Sequence, residues 1–307
     1  MQKSASTLLT GLSAMLVTLL IWSSFFLSLR AASHSSLTTA DIALLRFVPA
    51  ALLFGWCCRS RFRAIFATPK RYLALIAWGA GLPYFLIAGW GLQAVPVADG
   101  ASLIPGILPL FVSGIAAFCY RESISAARRL GLCLIAVGVA CFVYKSLING
   151  QPNLLKGYSI LLFASLSWAW YTIAMRVSGL TAMEGAAVIA ISGCLLLGLG
   201  ALSGTITFNL TSAGSQEILY HFLVQGIGVG MVSSLCYAMA ISRLGAEVSA
   251  ALGAFTPVLA AALAFPFFSE PLSSQTLLAM AFVVCGAITA SEVLPLRLNK
   301  SLKKAFR

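Results

Sequence analysis

Charge is scarce in this chain. Only 9% of its 307 residues are Asp, Glu, Lys or Arg, and the acidic ones number 8 against 20 basic. Soluble domains carry roughly 25% charged residues, so a chain that is also 60% hydrophobic lacks the polar coat needed to stay in water. Histidine is nearly absent, with His34 and His221 alone, and there is no H-E-x-x-H, no G-x-S-x-G and no pair of carboxylates inside one apolar span. The constellations that metal-dependent or nucleophilic hydrolysis would need are missing, so no catalytic residue and no cofactor is expected. Metal ligation is not expected either. The eight cysteines, at 57, 58, 119, 133, 141, 194, 236 and 285, include no C-x-x-C and no histidine at ligand spacing, and read as small apolar packing residues. A net charge of +12 is compatible with nucleic-acid binding, but the basic residues stand at the ends of apolar spans and form no basic module. Gly226-Ile-Gly-Val-Gly230 lacks the flanking strand and glycine spacing of a phosphate loop; close helix packing is the reading for it and for Gly200-x-x-x-Gly204.

What is present is a series of long apolar runs. Crossing a hydrocarbon core of about 30 Å takes about 20 apolar residues, so the chain has room for about ten crossings. The runs lack the alternation of barrel strands and are therefore helices. The expected spans are 8–29, 40–58, 72–93, 98–118, 127–144, 157–177, 182–203, 219–242, 246–267 and 273–294. The first could pass for a cleavable signal peptide. It recurs at an offset of 146, which carries Gly11 to Gly157, Trp22 to Trp168 and Arg30 to Arg176, and is read as retained.

A second offset is longer and stricter. Shifting by 148 residues carries Ala98 to Ala246, Asp99 to Glu247, Pro109 to Pro257, Glu122 to Glu270, Ser125 to Ser273 and Gly138 to Gly286. The chain is thus a duplication: a first five-helix repeat over 8–144, an extracytoplasmic linker over 145–156, a second repeat over 157–294 and a basic cytoplasmic tail over 295–307. An odd number of crossings per half makes the second half enter from the opposite face, so the fold class expected is an all-α membrane protein of ten transmembrane helices in two inverted repeats. With the N-terminus in the cytoplasm, sixteen basic residues fall inside and three (Arg30, Lys145, Lys156) outside, with Arg46 left in a span. Both termini are then cytoplasmic, with the tail as an anchor to anionic lipid.

Helix breakers mark the candidate moving parts. Pro49, Pro83, Pro105, Pro109, Pro257 and Pro266 each remove a backbone donor inside an apolar span. Pro109 and Pro257 match under the offset, and Pro105 aligns with Gly253; interrupted helices at matching positions point to a transporter's binding site, while a static packing kink is the alternative. Arg46 has three readings: it snorkels to the outer surface, binds an anionic group of a solute, or pairs with Asp99 or Asp41. Trp22, Trp168, Trp170, Tyr171, Tyr84, Trp90 and Tyr237 either line a cavity or form interfacial belts. Asp99 and Glu247 read as helix N-terminal caps, and Glu122 and Glu270 as turn contacts, the former near Arg121 and Arg128/Arg129.

The paired segments ILPLFVSGIAAFCYRESISAARRLGLCLIAVGVACF and FTPVLAAALAFPFFSEPLSSQTLLAMAFVVCGAIT, with Trp22-Ser-Ser and Leu45-Arg46-Phe47, resemble the repeats of EamA-type proteins of the drug/metabolite transporter superfamily. The resemblance covers residues 8 to about 293. It implies a central cavity, alternating access and export of amino acids or other metabolites from a bacterial inner membrane, with coupling to protons, to exchange or to neither left open. Candidate substrate-binding residues are Trp22, Arg46, Tyr84, Ser102, Pro105, Trp168 and Tyr237, with Pro109 and Pro257 as gating kinks. The second half departs at AAVIAISGCLLLGLG, which has no counterpart to Arg46. The partners expected are a small-molecule metabolite and the lipid bilayer, without nucleic acid, the chain working as a monomer. A multidrug exporter would favour a cavity carboxylate, which is not evident; a lipid flippase or scramblase, or a membrane sensor, are readings from other classes, though the loops are too short to fold as an effector domain.

Overall fold

The computed structural model describes residues 5–32, 35–148, 150–244, 246–270 and 272–292. The basic tail and His34 lie outside them, as does the side chain of Glu247. Among the described residues every regular element is helical. The first half comprises α1 (Ala5–Ala31), α2 (Thr39–Cys57), a short α3 (Phe62–Ala67), α4 (Lys70–Gly79), α5 (Leu82–Ala94), α6 (Val97–Ala101), a π-helical stretch (Ser102–Gly106), α7 (Leu108–Tyr120) and α8 (Ala126–Ile148). The second comprises α9 (Pro152–Ser178), α10 (Ala182–Leu202), α11 (Ser215–His221), a longer π-helical stretch (Phe222–Val232), α12 (Ser233–Leu244), α13 (Ala246–Gly253), α14 (Thr256–Phe268) and α15 (Ser274–Ala290). Large apolar side chains face outward along these helices, Phe118 at 89% and Leu202 at 88% exposure, as a lipid-facing surface requires.

Eight helical stretches are long and apolar enough to cross a membrane. The ninth and tenth expected spans are shorter. One is broken between α13 and α14, and the other is α15, whose 17 residues reach about 26 Å at 1.5 Å per residue. The expected linker is also shorter than 145–156, since α8 and α9 run into it from both sides.

The breaks follow the prolines. Pro83, Pro109 and Pro257 each stand in the first turn of a helix, and Pro105 lies in the π-helical stretch before α7. Two carbonyls at the interrupted helices are taken up by hydroxyls: Ser165 on α9 donates to Ile104 O (2.8 Å), and Thr256 Oγ1 to Gly253 O (2.7 Å). This is how non-helical backbone is tolerated at membrane depth. The offset of 148 survives in the coordinates, since α7 and α14 have corresponding bounds and end on corresponding left-handed residues, Arg121 (φ 55°) and Ser269 (φ 51°). Likewise α2 and α10 both start with a capping box, Thr38 with Asp41 and Thr181 with Glu184.

Packing pairs the halves. α2 lies on α10 and α8 on α15, while α1 packs against α12 and α14 much as α9 packs against α4, α5 and α7. At the α8–α15 contact the backbones touch: a Cβ on Gly131 would come within 2.4 Å of Ala290 N, and one on Gly286 within 2.7 Å of Gly131 O. Gly226 and Gly230 do bring two helices together, as the sequence suggests, lying against Leu45 O and Arg46 O of α2. Gly200 and Gly204 do not: Gly200 packs on Ile206 of the following loop, and Gly204 is a positive-φ turn residue with open space beside it. Four cysteines, 57, 119, 133 and 285, are exposed on the outside instead of packed inside.

Candidate functional site

Where the halves meet, four aromatic rings form a row. Trp22 of α1 lies edge-on to Trp168 of α9, with centroids 6.4 Å apart and planes at 81°. Tyr237 of α12 extends the row on one side, 5.0 Å from Trp22, and Tyr84 of α5 on the other, 5.9 Å from Trp168. Each half's first helix thus supplies a tryptophan, and each tryptophan takes a tyrosine from a different helix. Trp22, Trp168 and Tyr237 are only partly buried although they lie deep in apolar helices, so they face space as well as neighbours. Gly253, the counterpart of Pro105, lies beside Trp22, where a Cβ would make ordinary contact with the ring at 3.6 Å.

Arg46 stands close to this row, over the ring of Phe85, which follows Tyr84 in α5. It neither snorkels outward nor pairs with Asp41 or Asp99. Its guanidinium donates to Gln225 Oε1 (3.2 Å) and sits 5.4, 5.7 and 5.2 Å from the ring centres of Phe25, Phe47 and Phe85. Pro49 deprives Leu45 O of its helical donor, and Gly226 and Gly230 bring the second π-helical stretch onto that turn of α2, which sets Gln225 against Arg46. Gln225 Nε2 donates to Ser28 Oγ (3.0 Å), and Ser28 Oγ lies 2.8 Å from His221 Nδ1. Cation–π contacts return about 0.5–2 kcal/mol each, against several kcal/mol for desolvating a charge.

Asp41 is used elsewhere: it closes the Thr38 capping box and accepts from Asn209 N at 2.9 Å. Asp99 is no helix cap. Fully buried, its carboxylate accepts from Lys145 Nζ (3.1 Å), Tyr158 OH (2.6 Å) and Thr276 Oγ1 (3.2 Å). The first N–H of α6, on Val97, goes instead to Glu270 Oε2 at 2.8 Å.

Glu270 and Glu122 correct the expectation of local turn contacts. Glu270 binds Arg30 (2.9 Å) and Glu122 binds Arg176 (2.7 Å). The arginines are counterparts under the offset of 146 and the glutamates under 148, so each half's first helix grips the turn after the other half's broken helix. The two clasps lie at opposite ends of the bundle, because Glu270 sits on Val97 and Glu122 follows Tyr120, the two limits of one 24-residue span. They differ in burial. Arg30 and Glu270 are 20% and 16% exposed, Arg176 and Glu122 46% and 44%. Next to the tighter clasp is a cavity of about 20 Å³ lined by Asp99, Lys145, Glu270 and Thr276, room for about one water.

The structure therefore brings together Trp22, Arg46, Tyr84, Trp168 and Tyr237. Ser102 is satisfied locally by Ala98 O (2.8 Å), and Pro105 lies in the π-helical stretch before α7. Trp90 is exposed and stands apart from the row. Gln225, Ser28, Lys145 and Tyr158 were not candidates; the one sequence signal for Gln225 is an amide inside FLVQGIGVG.

Residues 155–291 match the EamA-like transporter family. No curated protein matches the chain. Fifteen solved chains do; one crystal structure of a protein superposes with a TM-score of 0.60 at 22% identity, covering 95% of this chain and 99% of its own. At that identity the likeness is one of fold.

Proposed function

We propose, from the place of residues 155–291 in the EamA-like transporter family, that this chain is a secondary transporter that exports a small organic metabolite by alternating access, its ten crossings forming two inverted five-helix repeats. The observation that carries the proposal is the pair of crossed clasps at opposite ends of the bundle, with the row of partly buried rings between them. Rocking one half against the other releases one clasp at a time, which presents the rings to each face in turn. Pro109 and Pro257 give α7 and α14 loosened starts about which to tilt, and Trp22, Trp168, Tyr84, Tyr237 and Arg46 line the solute's path.

In this reading the membrane is a bacterial inner membrane and, as the distribution of basic residues supports, both termini are cytoplasmic, which puts Arg176 and Glu122 inside and Arg30 and Glu270 outside. Both clasps are formed in this structure, the outer one the more deeply buried, so each access state requires the release of one of them. A flux assay tests this reading: proteoliposomes holding the full chain and preloaded with unlabelled phenylacetate or phenylalanine accumulate the same labelled solute by counterflow. Redistribution of fluorescent phosphatidylcholine with no solute counterflow would overturn it in favour of lipid handling.

A further inference from the structure

Among the described residues, four ion pairs match an arginine or lysine to a carboxylate: Arg30 to Glu270, Arg61 to Glu184, Lys145 to Asp99 and Arg176 to Glu122. Arg46 has none, although it stands within a span and its hydrogen-bond partner, Gln225, is fully buried. That partner is a neutral oxygen whose orientation is fixed from behind. Gln225 Nε2 is taken by Ser28 Oγ (3.0 Å) and Phe25 O (3.4 Å), so Oε1 is the end that meets the guanidinium. A guanidinium has five N–H donors in a planar fork suited to an oxyanion. One is engaged by Gln225, and Arg46 keeps part of its surface accessible. The phenyl rings recover only part of what desolvating the charge costs, so an anion arriving here supplies what the protein withholds. The ring row begins close by, since Phe85, which the guanidinium covers, follows Tyr84 in α5, and among the described side chains no carboxylate is paired with the rings to favour a solute's ammonium group.

We propose that the transported solute is an organic anion bearing a flat apolar ring, its carboxylate held by Arg46 and its ring lodged among Tyr84, Trp168, Trp22 and Tyr237. Gln225 is a positioning residue that presents the guanidinium without neutralising it. The proposal rests on the transport reading above and narrows it: aromatic carboxylates are preferred to their amides, amines and zwitterions.

The test uses the purified full chain and a set of probes alike in shape and different in charge: phenylacetate, phenylacetamide, phenethylamine and phenylalanine, by titration calorimetry. Phenylacetate is expected to bind at least tenfold more tightly than phenylacetamide, with phenethylamine weakest. Arg46→Gln brings phenylacetate down to the level of the amide. Gln225→Glu, which sets a carboxylate against the guanidinium while retaining it, does the same and so separates loss of the free charge from loss of the fold. Equal binding of acid and amide by the unaltered chain, no binding of phenylacetate, or an acid preference that survives Arg46→Gln sinks the proposal. So does an Arg46-dependent rise in melting temperature with phosphatidylglycerol but not phenylacetate, which would assign the guanidinium to a lipid phosphate. Counterflow of a neutral or cationic solute would remove the anion and leave transport standing, whereas absence of all solute counterflow would remove both.

Discussion

At the scale of single residues, the exchanged ion pairs make the sharpest demand. Reversing one member, Arg30→Glu or Glu270→Arg, sets like charges together in a site only about one-fifth exposed, where a charge-assisted hydrogen bond contributes on the order of 1.5–3 kcal/mol. Counterflow should fall by tenfold or more in each single variant and recover only in part in the double reversal, which leaves Val97 N–H without its acceptor and sets a carboxylate against Gln93 O. The same experiment on Arg176 and Glu122, both nearly half exposed, should change flux less than about fivefold, since such pairs contribute about 0–1 kcal/mol. Equal effects at the two ends would contradict the difference in burial. The sequence shows that Glu122 and Glu270 correspond, yet it suggests contacts within their own turns. Their partners lie 54 and 240 residues away and become neighbours only when the halves dock. Arg46 is legible as an oddity for the opposite reason, since a lone charge in an apolar run needs no tertiary knowledge to stand out. Its partner Gln225 does need it.

At the scale of elements, strict repetition is what made the architecture readable. The offset of 148 fixes α7 and α14 to corresponding bounds and places Pro109 and Pro257 alike. The π-helical stretches were not readable. The longer one runs where Gly226 and Gly230 lie against the backbone of α2, and a packing effect leaves no periodic trace in its own segment. Two spans fell short of the expected length because a break after Gly253 and a 17-residue α15 are set by backbone conformation that hydropathy does not register. If the proline breaks are the hinges, Pro109→Ala and Pro257→Ala each remove the ring that keeps the preceding helical stretch from running on into α7 or α14 and so stiffen the break. Solute flux should then slow about fivefold while equilibrium binding of phenylacetate stays within twofold. Unchanged flux would leave both prolines as packing kinks.

At the scale of the whole molecule, the proposed pair of inverted five-helix repeats predicts that residue 1 and residue 307 meet the same compartment. Single cysteines placed at the two ends, in a variant whose native thiols are replaced, should both resist an impermeant thiol reagent in intact cells and both react once the membrane is opened. Labelling of one end alone in intact cells would sink the inverted arrangement. The exchanged clasps also bear on how such a chain came to be one chain. A half by itself carries its arginine at one end of the bundle and its glutamate at the other, as Arg30 and Glu122 do, too far apart to meet. Only an antiparallel companion can satisfy both, so separated halves are each other's missing counter-ions, and two copies of one half could stand together only head to tail.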